Sequence, residues 1–228
     1  PVRTWFVPGK LLVEAEDRVR ITHQMGYPNV VLFLSLSNFG GRRLRVKRIK
    51  MDIQREGGQV HSLAVESYFT DALAQKPINF RPFWVEPNDE WAHIVIAYER
   101  LSARDDKELA KIRSALRVNI GEKLEAKKVD GSPSAELVVA DDVVLTPVLE
   151  LFKQKFMWAA GEYSLKVSVD IQGKNDAISA KCRFNLWDPD SDELRAYAES
   201  YKWGFGPAVD DKAQAGVVCQ LNPVPLAS

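Results

Sequence analysis

The sequence of 228 residues contains only two cysteines, Cys182 and Cys219, and it lacks the run of about 18 apolar residues that a membrane-spanning helix needs. The two cysteines do not have the spacing of zinc ligands, which disfavours a zinc module and excludes a disulfide-dense scaffold. They fit either a reducing compartment or one optional bridge. The patterns GxSxG, GxxxxGK[ST] and GxGxxG are absent as well, which disfavours nucleophile-elbow and nucleotide-loop enzymes. The sequence therefore predicts no cofactor.

An excess of one charge is also lacking, because 31 basic and 31 acidic residues give a formal net charge of zero. Bulk electrostatic binding of nucleic acid is therefore disfavoured. The net charge of zero nevertheless results from the cancellation of opposite charges in separate regions of the chain. No acidic residue occurs from Arg18 to Met51, whereas residues 129–152 contain five acidic residues and no lysine or arginine. We expect oppositely charged regions, which either neutralise each other or bind charged partners.

Apolar and polar side chains alternate along most of the chain, and this period of two is typical of β-strands. The pattern predicts about seven to nine strands, most of them joined as hairpins. Capping residues and helical spacing predict two or three helices, the first running from Ser102 to about Val118 before an exposed loop between Gly121 and Ser134. Because the strands do not alternate strictly with helices, we predict a mainly β protein built as an antiparallel β-sandwich.

The strand that begins at Leu44 shows a change in the parity of its apolar positions. These residues fall first on even and then on odd numbers: Leu44, Val46, Ile49, Met51 and Ile53. A regular strand cannot turn both sets toward one core, because successive side chains point to opposite faces. One extra residue near Lys47 and Arg48, a β-bulge, restores the alternation.

Two short phrases carry a resemblance to a known family. The stretch from Val30 to Ile53, with Ser37-Asn38-Phe39-Gly40 between its two strands, resembles the early strands of bacterial immunoglobulin-like sandwich domains. The stretch Ala160-Gly161-Glu162-Tyr163 is similar to the G-x-Y entry into their penultimate strand, where the tyrosine often makes the corner contact. The chain departs from antibody-type domains in lacking the paired core cysteines. The resemblance implies an immunoglobulin-like sandwich fold and no catalytic residues.

The resemblance covers roughly residues 10–190 apart from a helical insertion. We expect residues 1–190 to form the sandwich domain with the insertion near 102–160. Residues 191–228 are expected to form a C-terminal helix and an irregular tail packed on the same domain. Because the chain starts at Pro1 rather than at methionine, we also expect that a tag, a signal peptide or a membrane anchor has been removed upstream.

The clearest candidate site is a cluster of six basic residues within positions 42–50. Alternation and the bulge place five of them on one face: Arg43, Arg45, Lys47, Arg48 and Lys50. Such a stripe can bind a protein partner or an anionic surface, and nucleic acid is a further alternative that the zero net charge disfavours. The structural alternative is a solvated sheet face, or an edge strand that charge protects from unwanted pairing.

A second candidate surface lies in the aromatic segment between residues 80 and 91. Its members are Phe83, Trp84 and Trp91. Flat rings of this kind can line a sugar- or peptide-binding surface, and carboxylates beside them would suit a carbohydrate-active or other hydrolase. The alternative is that the rings plug the open end of the core, because aromatic side chains bury large areas.

A calcium candidate is formed by Asp188, Asp190, Asp192 and Glu199, since the D-x-D-x-D spacing and a later glutamate are typical of calcium loops. The sixth position of such a loop needs glycine for its sharp turn, and Glu193 stands there instead. The same acids are explained as the start of a helix after Pro189, where they face the positive end of the helix dipole. We therefore predict no metal site.

Taken with the missing catalytic motifs, these features favour a non-catalytic interaction or structural module over an enzyme. The expected upstream segment would make the domain the soluble part of a membrane-anchored bacterial protein. The alternatives are the hydrolase that uses carboxylates near the aromatic segment, and a protein that binds nucleic acid or an anionic surface through the basic stripe.

Overall fold

Strands make up 45% of the described residues and helices 27%, which confirms a mainly β protein and gives it three helices. The computed structural model describes residues 10–71, 73–128, 137–207 and 216–224. Within these ranges the strands are β1 (Leu11–Gln24), β2 (Tyr27–Asn38), β3 (Leu44–Arg55), β4 (Val60–Tyr68), β5 (Ile78–Asn79), β6 (Phe83–Val85), β7 (Glu90–Glu99), β8 (Gly161–Ile171), β9 (Ile178–Leu186), β10 (Val217–Gln220) and β11 (Asn222–Pro223). The helices are α1 (Ala103–Ala126), α2 (Asp142–Lys155) and α3 (Asp188–Ala196), and a 3-10 helix follows at Tyr197–Trp203.

The strands form one antiparallel sheet in the order β10-β1-β2-β7-β4-β3-β8-β9-β11, with β5 added to β4 and β6 added to β3. This path is nearly closed into a barrel. The predicted antiparallel sheet is therefore confirmed. The finer prediction of an immunoglobulin-like sandwich stays a prediction, because the strands follow one continuous path.

Residues 217–224, which we call the closing segment, bring the two edges of the sheet together. On one side Gln220 pairs with Arg18 of β1, and on the other side Asn222 pairs with Arg183 of β9. The Leu221 amide donates to the Asp17 carbonyl at 2.7 Å, and the Val224 amide donates to the Lys181 carbonyl at 2.8 Å. The sequence predicted an irregular tail here. Residues 208–215 and 225–228 of that tail lie outside the described residues.

The interior of the barrel is filled by the inward-facing residues of every long strand and of the closing segment. In β3 the buried residues are those that defined the change of parity, and the register against β8 shifts between Val46 and Arg48. The predicted bulge is therefore confirmed. It lets Val46 and Ile49 both face the core, and Lys47 and Arg48 are both left exposed.

One end of the barrel, which we call the helical end, is covered by helices. A second core cluster lies there: Met25, Tyr27, Leu109, Leu116, Ile120, Val138, Ala140, Val148, Phe152, Ala198 and Tyr201. Gly26, in the β1–β2 turn, has a φ of +91°, and a Cβ at this position would lie 2.7 Å from the Phe152 carbonyl oxygen. Only glycine allows the turn to approach α2 this closely.

Helix α1 begins as predicted and ends later than predicted. Ser102 is its N-cap, and its Oγ accepts a hydrogen bond from the Asp105 amide at 3.1 Å. The helix continues past Val118 to Ala126 because Ile120 extends the buried stripe by another turn. Gly121, which suggested a loop, lies inside the helix. Residues 129–136 of the predicted loop lie outside the described residues.

We call the end of the barrel opposite the helices the open end. Its opening is filled by aromatic rings that remain partly exposed. Phe83 stacks on Trp91 with ring centroids 4.6 Å apart, and Tyr68 and Phe80 make edge contacts with this pair. All four rings pack against the barrel interior. They form the plug that the sequence offered as the alternative to a binding surface.

Candidate functional site

The predicted basic stripe lies on the outside of β3, and we call its five residues Arg43, Arg45, Lys47, Arg48 and Lys50 the basic face. The five cations lie outside because the intervening residues Leu44, Val46 and Ile49 occupy the interior. The bulge gives the face a second property. It exposes two consecutive cations, Lys47 and Arg48, where a regular strand would turn one of them inward.

Trp84 lies beside the basic face rather than in the aromatic plug. Strand β6 pairs with the start of β3, and its register sets Trp84 opposite Arg45. The Arg43 guanidinium lies 4.4 Å from the Trp84 ring centroid and the Arg45 guanidinium lies 5.8 Å from it. Trp84 remains 46% exposed. Cation–π contacts at such sites contribute about 0.5–1 kcal/mol, enough to orient both guanidinium groups beside a surface that a ligand can reach.

The aromatic surface predicted from the sequence is therefore divided. Phe83 and Trp91 stack within the plug, whereas their neighbour Trp84 points outward. His93 lies beside Trp91, with ring centroids 4.7 Å apart.

Beside the basic face the sheet parts and leaves a cleft of about 710 Å³, which we call the basic cleft. Five basic and three acidic side chains line it: Lys47, Arg48, Lys50, Arg100, Lys174, Glu66, Asp170 and Asp176. The structure thus joins three residues of the basic face with two cations from distant segments. The net charge of this lining is positive.

Two of the cleft's arginines are held by carboxylates. Arg48 Nε lies 2.8 Å from Asp170 Oδ2, and Arg100 Nε lies 2.6 Å from Glu66 Oε1. Among the described contacts, no hydrogen bond or ion pair engages the ammonium groups of Lys47 and Lys50. The cleft therefore combines fixed guanidinium groups with lysines that are available to an anion.

Sequence reasoning missed Arg100 and Lys174. Arg100 follows β7, and Lys174 lies in the β8–β9 hairpin, more than a hundred residues from β3. The pairing of β3 with β8 brings Lys174 near β3, and the pairing of β3 with β4 and of β4 with β7 brings Arg100 near it. The alternation predicted a strand from Trp91 to Leu101 that contains Arg100 and a turn that contains Lys174, and neither signal identifies the neighbouring strand.

Among the residues that the structure describes, no ion pair joins the acidic stretch to the basic face. Asp141 is paired instead with Lys123 of α1 at 2.5 Å and accepts a hydrogen bond from the Asn119 amide group. These two partners lower the pKa of the Asp141 carboxyl below its ordinary value.

Carboxylates near the aromatic segment make local hydrogen bonds. Glu90 accepts hydrogen bonds from the hydroxyl groups of Ser35 and Ser37 on the neighbouring strand. Asp89 accepts a hydrogen bond from the Glu90 amide in the turn that precedes β7. Both carboxylates thus help to fix the start of β7, and the hydrolase stays a prediction.

Three of the four calcium candidates lie in α3, and Glu199 lies in the 3-10 helix that follows. Asp190 Oδ2 accepts a hydrogen bond from the Trp187 amide at 3.2 Å, so this carboxylate caps the helix. Within the residues that the structure describes, no group of three or more histidine, cysteine, aspartate or glutamate side chains could hold a metal ion. Cys182 and Cys219 are both buried and free.

The buried His23 was not singled out by the sequence, and it lies at the junction of the barrel and the helices. Its Nε2 lies 2.7 Å from the Leu194 carbonyl, so Nε2 carries the proton and donates it. Its Nδ1 then accepts from the Tyr201 hydroxyl at 3.2 Å. Burial lowers the pKa of His23, which keeps the ring neutral. These contacts give His23 a structural role.

Comparison with known proteins found no matching family model, no matching curated relative and no matching solved structure. Among the described helices, none is both long enough and apolar enough to cross a membrane.

Proposed function

We propose that this protein is a non-catalytic binding module whose basic face recognises an acidic segment of a partner protein. The observation that carries the proposal is the arrangement of exposed cations around Trp84 and the bulge. Two guanidinium groups are oriented by the Trp84 ring, and two lysines have no partner among the described contacts.

The spacing of these cations suits an extended peptide. Strands rise about 3.3 Å per residue, so the face from Arg43 to Lys50 extends for about 20 Å, the length of a six- or seven-residue extended segment. Carboxylates at alternate positions of such a segment have the same repeat as Arg43, Arg45 and Lys47. A neutral protein gains little long-range attraction for nucleic acid, which favours a local contact with an acidic peptide.

The immunoglobulin-like fold is part of the same proposal. It is supported by Tyr163, whose hydroxyl donates to the carbonyl groups of Met157 at 2.9 Å and Ala159 at 2.7 Å. In immunoglobulin-like domains a corner tyrosine bonds back in this way to the backbone a few residues upstream. The fold alone does not specify a function, so the role in binding rests on the basic face.

The test measures binding of a fluorescein-labelled deca-glutamate peptide by anisotropy at low ionic strength. The variant R43Q/K47Q/K50Q removes three cations of the basic face. The matched control K166Q/K181Q/R183Q removes three exposed cations from the outer faces of β8 and β9. Exposed charge pairs contribute about 0.2–1 kcal/mol each, so the first variant should lose about tenfold in affinity and the control much less.

Equal losses in the two triple variants would overturn the proposal, because binding would then follow net charge alone. A DNA duplex or phosphatidylserine vesicles that bind wild-type protein more tightly than the peptide, with the same dependence on the basic face, would also overturn it. Those outcomes would assign the face to nucleic acid or to an anionic membrane.

A further inference from the structure

The basic cleft exists because β3 loses its neighbour over three residues. On the side facing β4, the ladder between the two strands stops at the pair Lys50 and Ala64. Strand β6 occupies the same side of β3 only as far as Val46. In the described chain, residues 47–49 therefore have no strand partner on this side. A shift of register in β4 between Val65 and Ser67 turns that strand toward β5 and β7.

The opening has an apolar floor and a basic rim. Val65, Phe80 and Ile171 contribute to the floor, and the Phe80 amide fixes its segment by donating to the Glu66 carbonyl at 2.8 Å. The rim receives cations from three separate parts of the chain: β3, the residue after β7, and the β8–β9 hairpin. A cleft of this kind offers donors to an anionic group and apolar contacts to the chain that carries it.

The two paired arginines, Arg48 and Arg100, both line the cleft. Asp170 and Glu66 are contacted through Nε of Arg48 and Nε of Arg100, and no described hydrogen bond uses the terminal nitrogens of either guanidinium. These terminal nitrogens and the ammonium groups of Lys47 and Lys50 are donors of the type that binds phosphate oxygens.

The net charge of the cleft lining favours a phosphate over a carboxylate as the group that the cleft binds. The lining holds two more basic than acidic side chains. A phosphate monoester carries a charge of about −1.5 to −2 at neutral pH, whereas a carboxylate carries only one charge. The excess of the lining therefore matches a phosphate monoester, whose oxygens can accept from several of these donors at once.

From this match we propose that the basic cleft binds a phosphorylated serine or threonine of the acidic partner segment. The inference rests on the proposed function, because Lys47, Arg48 and Lys50 belong to both the basic face and the basic cleft. The segment runs along β3 and places its phosphate in the opening beside the bulge. The apolar floor contacts the residues on either side of the phosphorylated one.

Residues that belong to only one of the two sites allow a separate test of each. Arg100 and Lys174 line the cleft and lie outside the basic face, whereas Arg43 lies on the face and outside the cleft lining. The probes are an acidic peptide with a central phosphoserine and the same peptide with serine. Charge-assisted hydrogen bonds predict that phosphorylation raises affinity about tenfold or more. R100Q/K174Q should remove most of that gain and leave the serine peptide unchanged, and R43Q should weaken both peptides equally.

The failures of the two proposals are distinguishable. If the serine peptide binds and phosphorylation adds nothing, the cleft proposal is overturned while the proposed function stands. If neither peptide binds, the proposed function fails and the cleft proposal fails with it. Vesicles of phosphatidic acid that bind more tightly than the phosphopeptide, and lose binding in R100Q/K174Q, would overturn the assignment to a peptide and give the cleft to a lipid headgroup.

Discussion

The two ends of the barrel are both closed by aromatic residues, but the residues are used differently. Near the helical end, Tyr201 of the second core cluster and Trp158 of the barrel interior are almost completely buried, and their polar atoms bond to groups of the barrel and its first turn. At the open end, the rings of Phe83 and Trp91 pack on the core with one side still accessible. Trp84, beside them, contacts only cations among its described ring partners.

The difference separates residues that stabilise the fold from residues that remain accessible to a ligand. The helical end is specified by hydrogen bonds that a buried group cannot lose without cost, such as Trp158 Nε1 to the Thr22 carbonyl at 2.8 Å. The open end adjoins the basic face, whose exposed cations contribute little to folding. The helical end therefore supports the fold, whereas strand β3, which adjoins the open end, carries the surface that we propose binds a partner.

The largest expected effect is that of removing a buried ring from the barrel interior near the helical end. Trp158→Ala deletes a fully buried side chain and its hydrogen bond to Thr22, which should lower the free energy of unfolding by about 3–5 kcal/mol. Trp84→Ala removes exposed cation–π contacts and should cost about 1 kcal/mol or less. Urea denaturation of both variants measures the comparison. Similar losses at the two positions would show that the ends do not differ in this way.

A smaller effect is expected from pH at His23. Burial lowers the pKa of His23 in the folded protein, whereas an unfolded chain titrates near the ordinary value of 6.5. As the pH falls below about 6.5, the unfolded chain takes up a proton that the folded chain does not, so the free energy of unfolding decreases. Above this pH the contribution of the neutral ring is fully present.

Urea midpoints between about pH 7.5 and about pH 5.5 measure this dependence, and His23→Gln isolates it because His61 and His93 remain in both proteins. The variant should lose part of the slope that wild-type protein shows in this range. A slope that is the same in wild type and variant would contradict a buried neutral histidine at the helical end.

The smallest expected effect concerns the ion pair between Arg48 and Asp170. Half of the Arg48 side chain is exposed, and solvent screens its attraction to the carboxylate. A double-mutant cycle with R48Q and D170N should give a coupling energy of about 1 kcal/mol or less in unfolding experiments. A much larger coupling would mean that the basic face supports the fold, as the helical end does.

How much of the fold the sequence foretold depended on how local each signal was. The bulge in β3 and the N-cap at Ser102 were predictable, because both follow from residues within one element. The outward position of Trp84 could have been read from the same alternation, since Phe83 and Trp84 are consecutive in a strand. Their shared aromatic character led the sequence interpretation to group them.

Features that depend on pairing between distant segments were not predictable. The closing segment is short and includes Pro223, so its alternation of Val217, Cys219 and Leu221 gave a weak strand signal. The basic cleft needed Arg100 and Lys174 beside β3, and no local pattern specifies that neighbourhood. The cations of β3 were therefore visible in the sequence, whereas Arg100 and Lys174 joined the candidate site only through strand order.

The closing segment also determines when the barrel can finish folding during synthesis on the ribosome. Residues 18–21 of β1 pair with residues 217–220, so about 200 residues must be synthesised before this edge finds its partner. At about 5–20 residues per second the wait lasts about 10–40 seconds. An unpaired strand edge is a template for aggregation, and charged side chains discourage such pairing. Arg18 and Arg20 lie on that edge, where they can protect the nascent chain until the barrel closes.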